Sequence, residues 1–206
     1  MSFFCSVMLT LYVDAKAEPV HVMSEEERER ALVEAVRRAE PAARKDLYTR
    51  YAGMLTAVCS RYVVNREDLR DVLQDSFIKI FTSFGSFTYR GKGSLQAWMS
   101  RIVVNEALKY IRQNEQPGWM STMEELPDRP EEEDPDLDRI APGVLADMIR
   151  RLPSGYRTVL NLYVFEEKSH KEIAALLGIG ENSSASQLSR AKSLLAKWIK
   201  EYRKTL

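Results

Sequence analysis

Three sets of polar side chains in this sequence are spaced to act together, and the chemistry they offer is binding, not bond-making. Arg101, Asn105, Lys109 and Arg112 follow one another at steps of four, four and three residues. On a helix such steps align side chains along one stripe, where cations and amides reach phosphate oxygens. Just before them, Phe87, Tyr89, Arg90 and Lys92 interleave rings with cations, the combination that holds unpaired nucleic acid by stacking and charge. A second set, Asn182, Ser183, Ser186, Gln187 and Arg190, stands at the start of a long amphipathic run. Hydroxyls there suit phosphates, while Gln and Arg reach base edges. The third set is Asp71, Gln74 and Asp75. At helical spacing they share one exposed face, which suits an arginine-rich partner surface.

The residues of bond-making sites are missing from the pattern. The sequence has no Gly-rich phosphate loop, nucleophile elbow or metal-spaced cluster. Cys5 and Cys59 lack CxxC spacing, and His21 and His170 have no ligand-spaced partner. The expectation is a protein that is not an enzyme, with no cofactor and no metal.

The elements that carry these side chains read as helices. Ser24 and Glu27 form a capping-box pattern before a run over 25–39 whose apolar stripe is Leu32, Val33 and Val36. A second run, 42–63, places Leu47, Tyr51, Met54, Leu55 and Val58 at three- and four-residue steps. A third, 66–84, carries Leu69, Val72, Leu73, Phe77, Ile80, Phe81 and Phe84. Two glycines mark a loop over 86–94, after which Ser94 can cap a helix over 95–113 with Trp98, Ile102, Leu108 and Ile111 inside. Further helices are expected at about 143–151, 153–165, 169–177 and 183–204, and no segment gives a strand pair. In SHKEIAALLGIG (169–180), Ser169 and Glu172 repeat the capping box, Gly178 stops the helix, and Leu188, Ala191, Leu195 and Trp198 form the buried stripe of the next one. This is the spacing of a helix-turn-helix, whose second helix enters the major groove by its N-terminal end.

Charge divides the chain. Residues 25–114 carry 16 basic and 12 acidic side chains, a net +4; residues 115–140 carry 2 and 10, a net −8; residues 141–206 carry 11 and 6, a net +5. The acidic stretch holds Pro117, Pro127, Pro130 and Pro135, and such a composition does not bury enough apolar surface to offset ordering. The expected organisation is all-α: a leader over 1–23, an N-terminal helical domain over 24–114, an acidic flexible linker over 115–142, and a helix-turn-helix domain over 143–206. Met1 and Met23 both stand as candidate starts. The apolar residues 1–13 are too short to span a bilayer and lack the flanks of a signal peptide, so no membrane insertion and a cytoplasmic location are expected.

Two blocks carry a family resemblance. RLPSGYRTVLNLYVFEEKSHKEIAALLGI (151–179), continued by SQLSRAKSLL (186–195), resembles the C-terminal domain of bacterial sigma factors, which reads the −35 promoter element. Gly180, Ser184 and Ala185 depart from that pattern, where a capping Ser or Thr, a buried Val and a Lys are common. DLRDVLQDSFIKIF (68–81) is similar to the helix that docks on RNA polymerase, and 86–113 is similar to the −10-reading segment with its preceding loop. Order and length match the extracytoplasmic-function group of the sigma-70 family. The resemblance implies core RNA polymerase as partner through Asp71, Gln74 and Asp75. It implies single-stranded −10 DNA on Phe87, Tyr89, Arg90, Lys92, Arg101, Asn105, Lys109 and Arg112. It implies duplex −35 DNA on Asn182, Ser183, Ser186, Gln187 and Arg190, and admits an anti-sigma factor as a further partner. The alternative is a homodimeric helix-turn-helix regulator that acts without polymerase.

Overall fold

The computed structural model describes residues 23–114 and 140–205. The expected leader, Met23 apart, and most of the expected linker lie outside these residues. Every regular element among the described residues is helical. The first bundle holds α1 (Glu25–Arg37), α2 (Pro41–Ser60), α3 (Arg66–Ser83), a turn of 3-10 helix (Phe84–Ser86) and α4 (Ser94–Asn114). The second holds α5 (Pro142–Arg151), α6 (Ser154–Val164), α7 (His170–Leu177) and α8 (Glu181–Arg203).

Local chemistry sets the ends of these helices. The Ser24 hydroxyl accepts from the Glu27 amide while the Glu27 carboxylate accepts from the Ser24 amide, a complete capping box. Ser169 and Glu172 do the same for α7. Asn65 caps α3 by accepting from the Glu67 and Asp68 amides. Gly178 ends α7 at φ 69°, a left-handed conformation in which a Cβ is disfavoured. Pro142 opens α5 at its first position, one residue before the expected start, and Pro153 precedes α6 as its cap residue, not its first turn. Ser94 departs further from its expected role. It is the first residue of α4, and its hydroxyl turns back on the loop, accepting from the Arg90 amide and donating to the Gly91 carbonyl.

In the first bundle α4 packs on α2 and α3, and α1 on α2; in the second, α6, α7 and α5 all pack on α8. The predicted stripes of α1 to α4 are inside or half-inside, with Leu47, Leu55 and Ile80 fully buried; in α4 the expected Trp98 and Ile102 are half-buried, and Leu95, Met99 and Val103, which were not expected, are fully buried. Each such side chain contributes roughly 1.5–3 kcal/mol. The two bundles touch where α6 meets the end of α2, and again where Arg112 of α4 reaches the Leu176 carbonyl of α7. Helix α6 is buried nearly all round, because its outer face meets the C-terminal end of α2. There the Arg157 guanidinium donates to the Tyr62 carbonyl at 3.2 Å, and the Asn161 amide donates to the Arg61 carbonyl at 2.8 Å. The Arg61 guanidinium lies over the Phe165 ring, 4.4 Å from its centroid.

Candidate nucleic-acid interface

Helix α4 presents Arg101, Asn105, Lys109 and Arg112 on its exposed side, while Leu95, Met99, Val103, Ala107 and Ile111 fill its inner face. The expected stripe is therefore formed. Two of its members have intramolecular partners: Lys109 pairs with Glu106 at 3.4 Å, and Arg112 donates to the Leu176 carbonyl at 3.5 Å. Arg101 and Asn105 line a cavity of about 410 Å³ whose far wall is Glu166, Lys168 and Glu172.

Beside the N-terminal end of this stripe lies a second cavity, of about 370 Å³, lined by Ser86, Phe87, Thr88, Arg90, Ser94, Ala97, Trp98 and Arg101. An aromatic cluster builds its floor. Trp98 meets Phe84 edge-on at 5.7 Å and Phe87 at 5.0 Å between ring centroids. Phe87 corrects the sequence reading: it is only 4% exposed. The ring is a core component of the loop, because an apolar side chain beside two aromatics gains more from burial than a water-exposed stacking platform does. Arg90 is exposed at the cavity mouth, whereas Tyr89 and Lys92 are engaged elsewhere. The Tyr89 hydroxyl donates to Glu29 at 3.2 Å, and the Lys92 ammonium pairs with Glu25. That pairing holds the Glu25 carboxyl below its ordinary range. Partial burial, then the bond to Glu29, raises the Tyr89 phenol.

Helix α8 begins at Glu181, two residues before the expected start, and Gly180 occupies the cap position with no side-chain bond. Asn182, Ser183 and Ser186 are exposed and Arg190 is half-buried, so these four share the outer face. Gln187 is the second correction. It is 4% exposed and belongs to the inner face with Ser184, Leu188 and Ala191, so it is not a surface reader of base edges. The hydrophobic stripe runs one position wider than its aliphatic members indicate. Ser184, at a position where an apolar residue is expected, is buried because its hydroxyl meets Nδ1 of His170 at 3.0 Å. His170 in turn stacks on Tyr163 at 5.0 Å. This polar tie between the two helices of the motif was not foreseen, since neither residue type advertises an interior position.

Asp71, Gln74 and Asp75 are exposed on α3 as expected. Next to them the sequence reading missed an apolar groove of about 670 Å³ between α2 and α3, lined among others by Tyr48, Leu69, Leu73, Gln74, Phe77 and Ile78. Ile78 is 54% exposed there. The periodicity of α3 assigned its aromatics to the core, but Ile78 lies off that stripe and gave no signal.

Among the described residues no helix is long and apolar enough to cross a membrane, and no group of His, Cys, Asp and Glu is arranged to hold a metal ion. Cys59 is buried, and burial pushes its thiol up to about 12.

Comparison with known proteins adds two matches to family models. Residues 47–116 match Sigma-70 region 2, and residues 143–195 match Sigma-70, region 4. Among curated proteins, the chain is similar to an ECF RNA polymerase sigma-E factor of Haemophilus influenzae, 31% identical over 84% of this chain and 96% of that protein. An RNA polymerase sigma-H factor of Pseudomonas aeruginosa is 27% identical over 85% of this chain and 95% of that one. The ECF RNA polymerase sigma-E factor of Escherichia coli K12 is 29% identical over 84% and 95%. A solved structure, CnrH in complex with the cytosolic domain of CnrY, aligns with a TM-score of 0.45 at 21% identity, covering 84% of this chain and 97% of that chain.

Proposed function

This chain belongs to the extracytoplasmic-function group of the sigma-70 family, and on that premise we propose which of its surfaces carries each part of a sigma factor's work. As a sigma factor it binds core RNA polymerase and promoter DNA and directs promoter-specific transcription initiation. Members of the family are not enzymes in their own right. The match of 47–116 to region 2 leaves nothing in favour of a self-sufficient homodimeric regulator.

In the proposed division, residues 24–114 bind core polymerase and the −10 element, and 143–206 bind the −35 element, with 115–142 as the tether. Asp71, Gln74 and Asp75 form the polymerase face, together with the apolar groove beside them. The non-template strand enters the cavity bounded by Arg90, Trp98 and Arg101, and its phosphates follow Asn105, Lys109 and Arg112. Strand separation then needs no catalytic group, because tighter binding to the open form shifts the equilibrium. Asn182, Ser183, Ser186 and Arg190 face the −35 duplex. The protein acts in the cytoplasm, where its polymerase is, and an anti-sigma factor is a further partner that the group implies.

The observation that carries this reading is the exposed cationic stripe on α4 running from the mouth of an aromatic-floored cavity. Run-off transcription with purified core polymerase tests it. The double substitution Arg101→Ala, Lys109→Ala should abolish most promoter-dependent product while leaving core binding in a titration unchanged. Undiminished transcription by that variant would remove α4 from the strand path.

A further inference from the structure

We propose that Glu29 is a positioning residue for capture of the unpaired strand, acting from α1, a helix that lies outside both family matches. The inference rests on the reading above, in which the loop between the 3-10 turn and α4 forms part of the strand site.

Within that loop Ser94 bonds the Arg90 amide and the Gly91 carbonyl, and Phe87 packs on Phe84 and Trp98. Gly91 and Gly93 adopt φ of 106° and 84°, and glycine at such positions loses more conformational freedom on ordering than any other residue. Helix α1 supplies a further restraint from outside. Arg37 donates to the Phe87 carbonyl, and Glu25 pairs with Lys92. Glu29 does more than either. Its carboxylate accepts from the Tyr89 hydroxyl at 3.2 Å and from the Gly93 amide at 3.2 Å, at two points on the loop. It also accepts from the Tyr51 hydroxyl of α2 at 3.1 Å. A carboxylate that accepts several hydrogen bonds makes charge-assisted contacts, the stronger kind. At 8% exposure, Glu29 is sheltered from the water that weakens the surface pairs around it. Tyr51 anchors one side of the carboxylate to the bundle; Tyr89 and Gly93 hang the loop from the other. The backbone of Arg90, at the mouth of the cavity, lies between those two suspension points.

A carboxylate that merely stabilises the fold and one that shapes the strand site predict different results. The probe is a fluorescein-labelled single strand carrying the −10 segment of a promoter that the wild-type holoenzyme transcribes, titrated with reconstituted holoenzyme. Glu29→Ala should weaken strand binding by about tenfold. Tyr89→Phe should weaken it in the same direction, and the double variant should be no worse than Glu29→Ala alone, since both act through one path. Glu29→Gln, which keeps one acceptor oxygen, should recover part of the loss. Tyr51→Phe, which removes the bundle-side anchor but leaves both loop bonds, should weaken strand binding by less than Glu29→Ala does. Core affinity and binding to a −35 duplex should not move. Should Glu29→Ala lower only the melting temperature, with strand affinity intact, the inference is overturned; additive effects of the Glu29 and Tyr89 substitutions overturn it too. If Glu29→Ala fails to fold, Glu29→Gln and Tyr89→Phe carry the same comparison. Arg90→Ala with Arg101→Ala separates the two levels. If that pair leaves strand affinity unchanged, the strand-site reading itself fails, whereas a loss there with intact Glu29 variants sinks only the role of Glu29.

Discussion

Two side chains three residues apart on α8 divide the labour of its face, and they divide it differently from what their chemistry suggests. Gln187 has the amide that reads adenine edges, yet it is interior; Arg190 is half-exposed on the outer side. Gln187→Ala should therefore act on stability, lowering the unfolding free energy by about 1–3 kcal/mol, and should leave the ranking of −35 sequences unchanged in a promoter-library transcription assay. A reordered ranking would return Gln187 to the DNA surface. Arg190→Ala should weaken all −35 sequences alike and reduce the salt slope of binding by about one phosphate equivalent. Titration of duplex binding at several salt concentrations measures this. The exposed polar side chains of α3 and α4 were legible because they recur at helical steps beside an apolar stripe, whereas the exposed Ile78 of α3 was not. Those of α8 were only partly legible. Its inner face admits Ser184 and Gln187, and a buried hydroxyl satisfied by a histidine 14 residues away leaves no trace in a hydrophobic pattern. Phe87 was misread for the complementary reason: a ring next to cations resembles a stacking platform until its neighbours Phe84 and Trp98 are known.

Helix starts marked by a capping box were the most readable features at the next scale, because the box is a local device spanning four residues. The box that starts α7 also has a measurable pH signature. The Glu172 carboxyl lies at about 2, held down first by the Ser169 amide, then by the Ser169 hydroxyl and by Lys168. Its folded value is below its ordinary one, so the stabilisation is present above the ordinary carboxylate range and is lost as pH falls towards 2. The amide resonance of Ser169, followed by NMR, should titrate with a midpoint near 2 and should lose that transition in Glu172→Gln. A midpoint in the ordinary glutamate range would mean that the box is open in solution. Ser169→Ala should lower stability by about 1 kcal/mol, the usual worth of an N-cap. Ser94 was read as another such cap and is not one, since its hydroxyl is already committed to the glycine loop behind it.

At the scale of the whole molecule, the sequence reading separated two helical bundles but left their contact unspecified. The join depends on partners 95 and 100 residues apart, and no local pattern marks Arg157 or Asn161 as reaching outside their own bundle. Asn161→Leu removes a bond that spans the join alone. It should cost about 0.5–1.5 kcal/mol and raise the radius of gyration measured by small-angle X-ray scattering. Arg157→Met should cost more, because the same guanidinium also donates to the Arg150 and Leu152 carbonyls at the end of α5. An unchanged radius in both variants would show that the bundles are held together by something other than this pair. The join also has a consequence in time. The carbonyls of Arg61 and Tyr62 follow directly on the last turn of α2, where the helix provides no further donor. Their partners are made only after about another hundred residues, which at ribosomal rates takes roughly 5–20 s. The first bundle is therefore born with one helix end open to water, and the nascent chain closes it only when α6 has emerged.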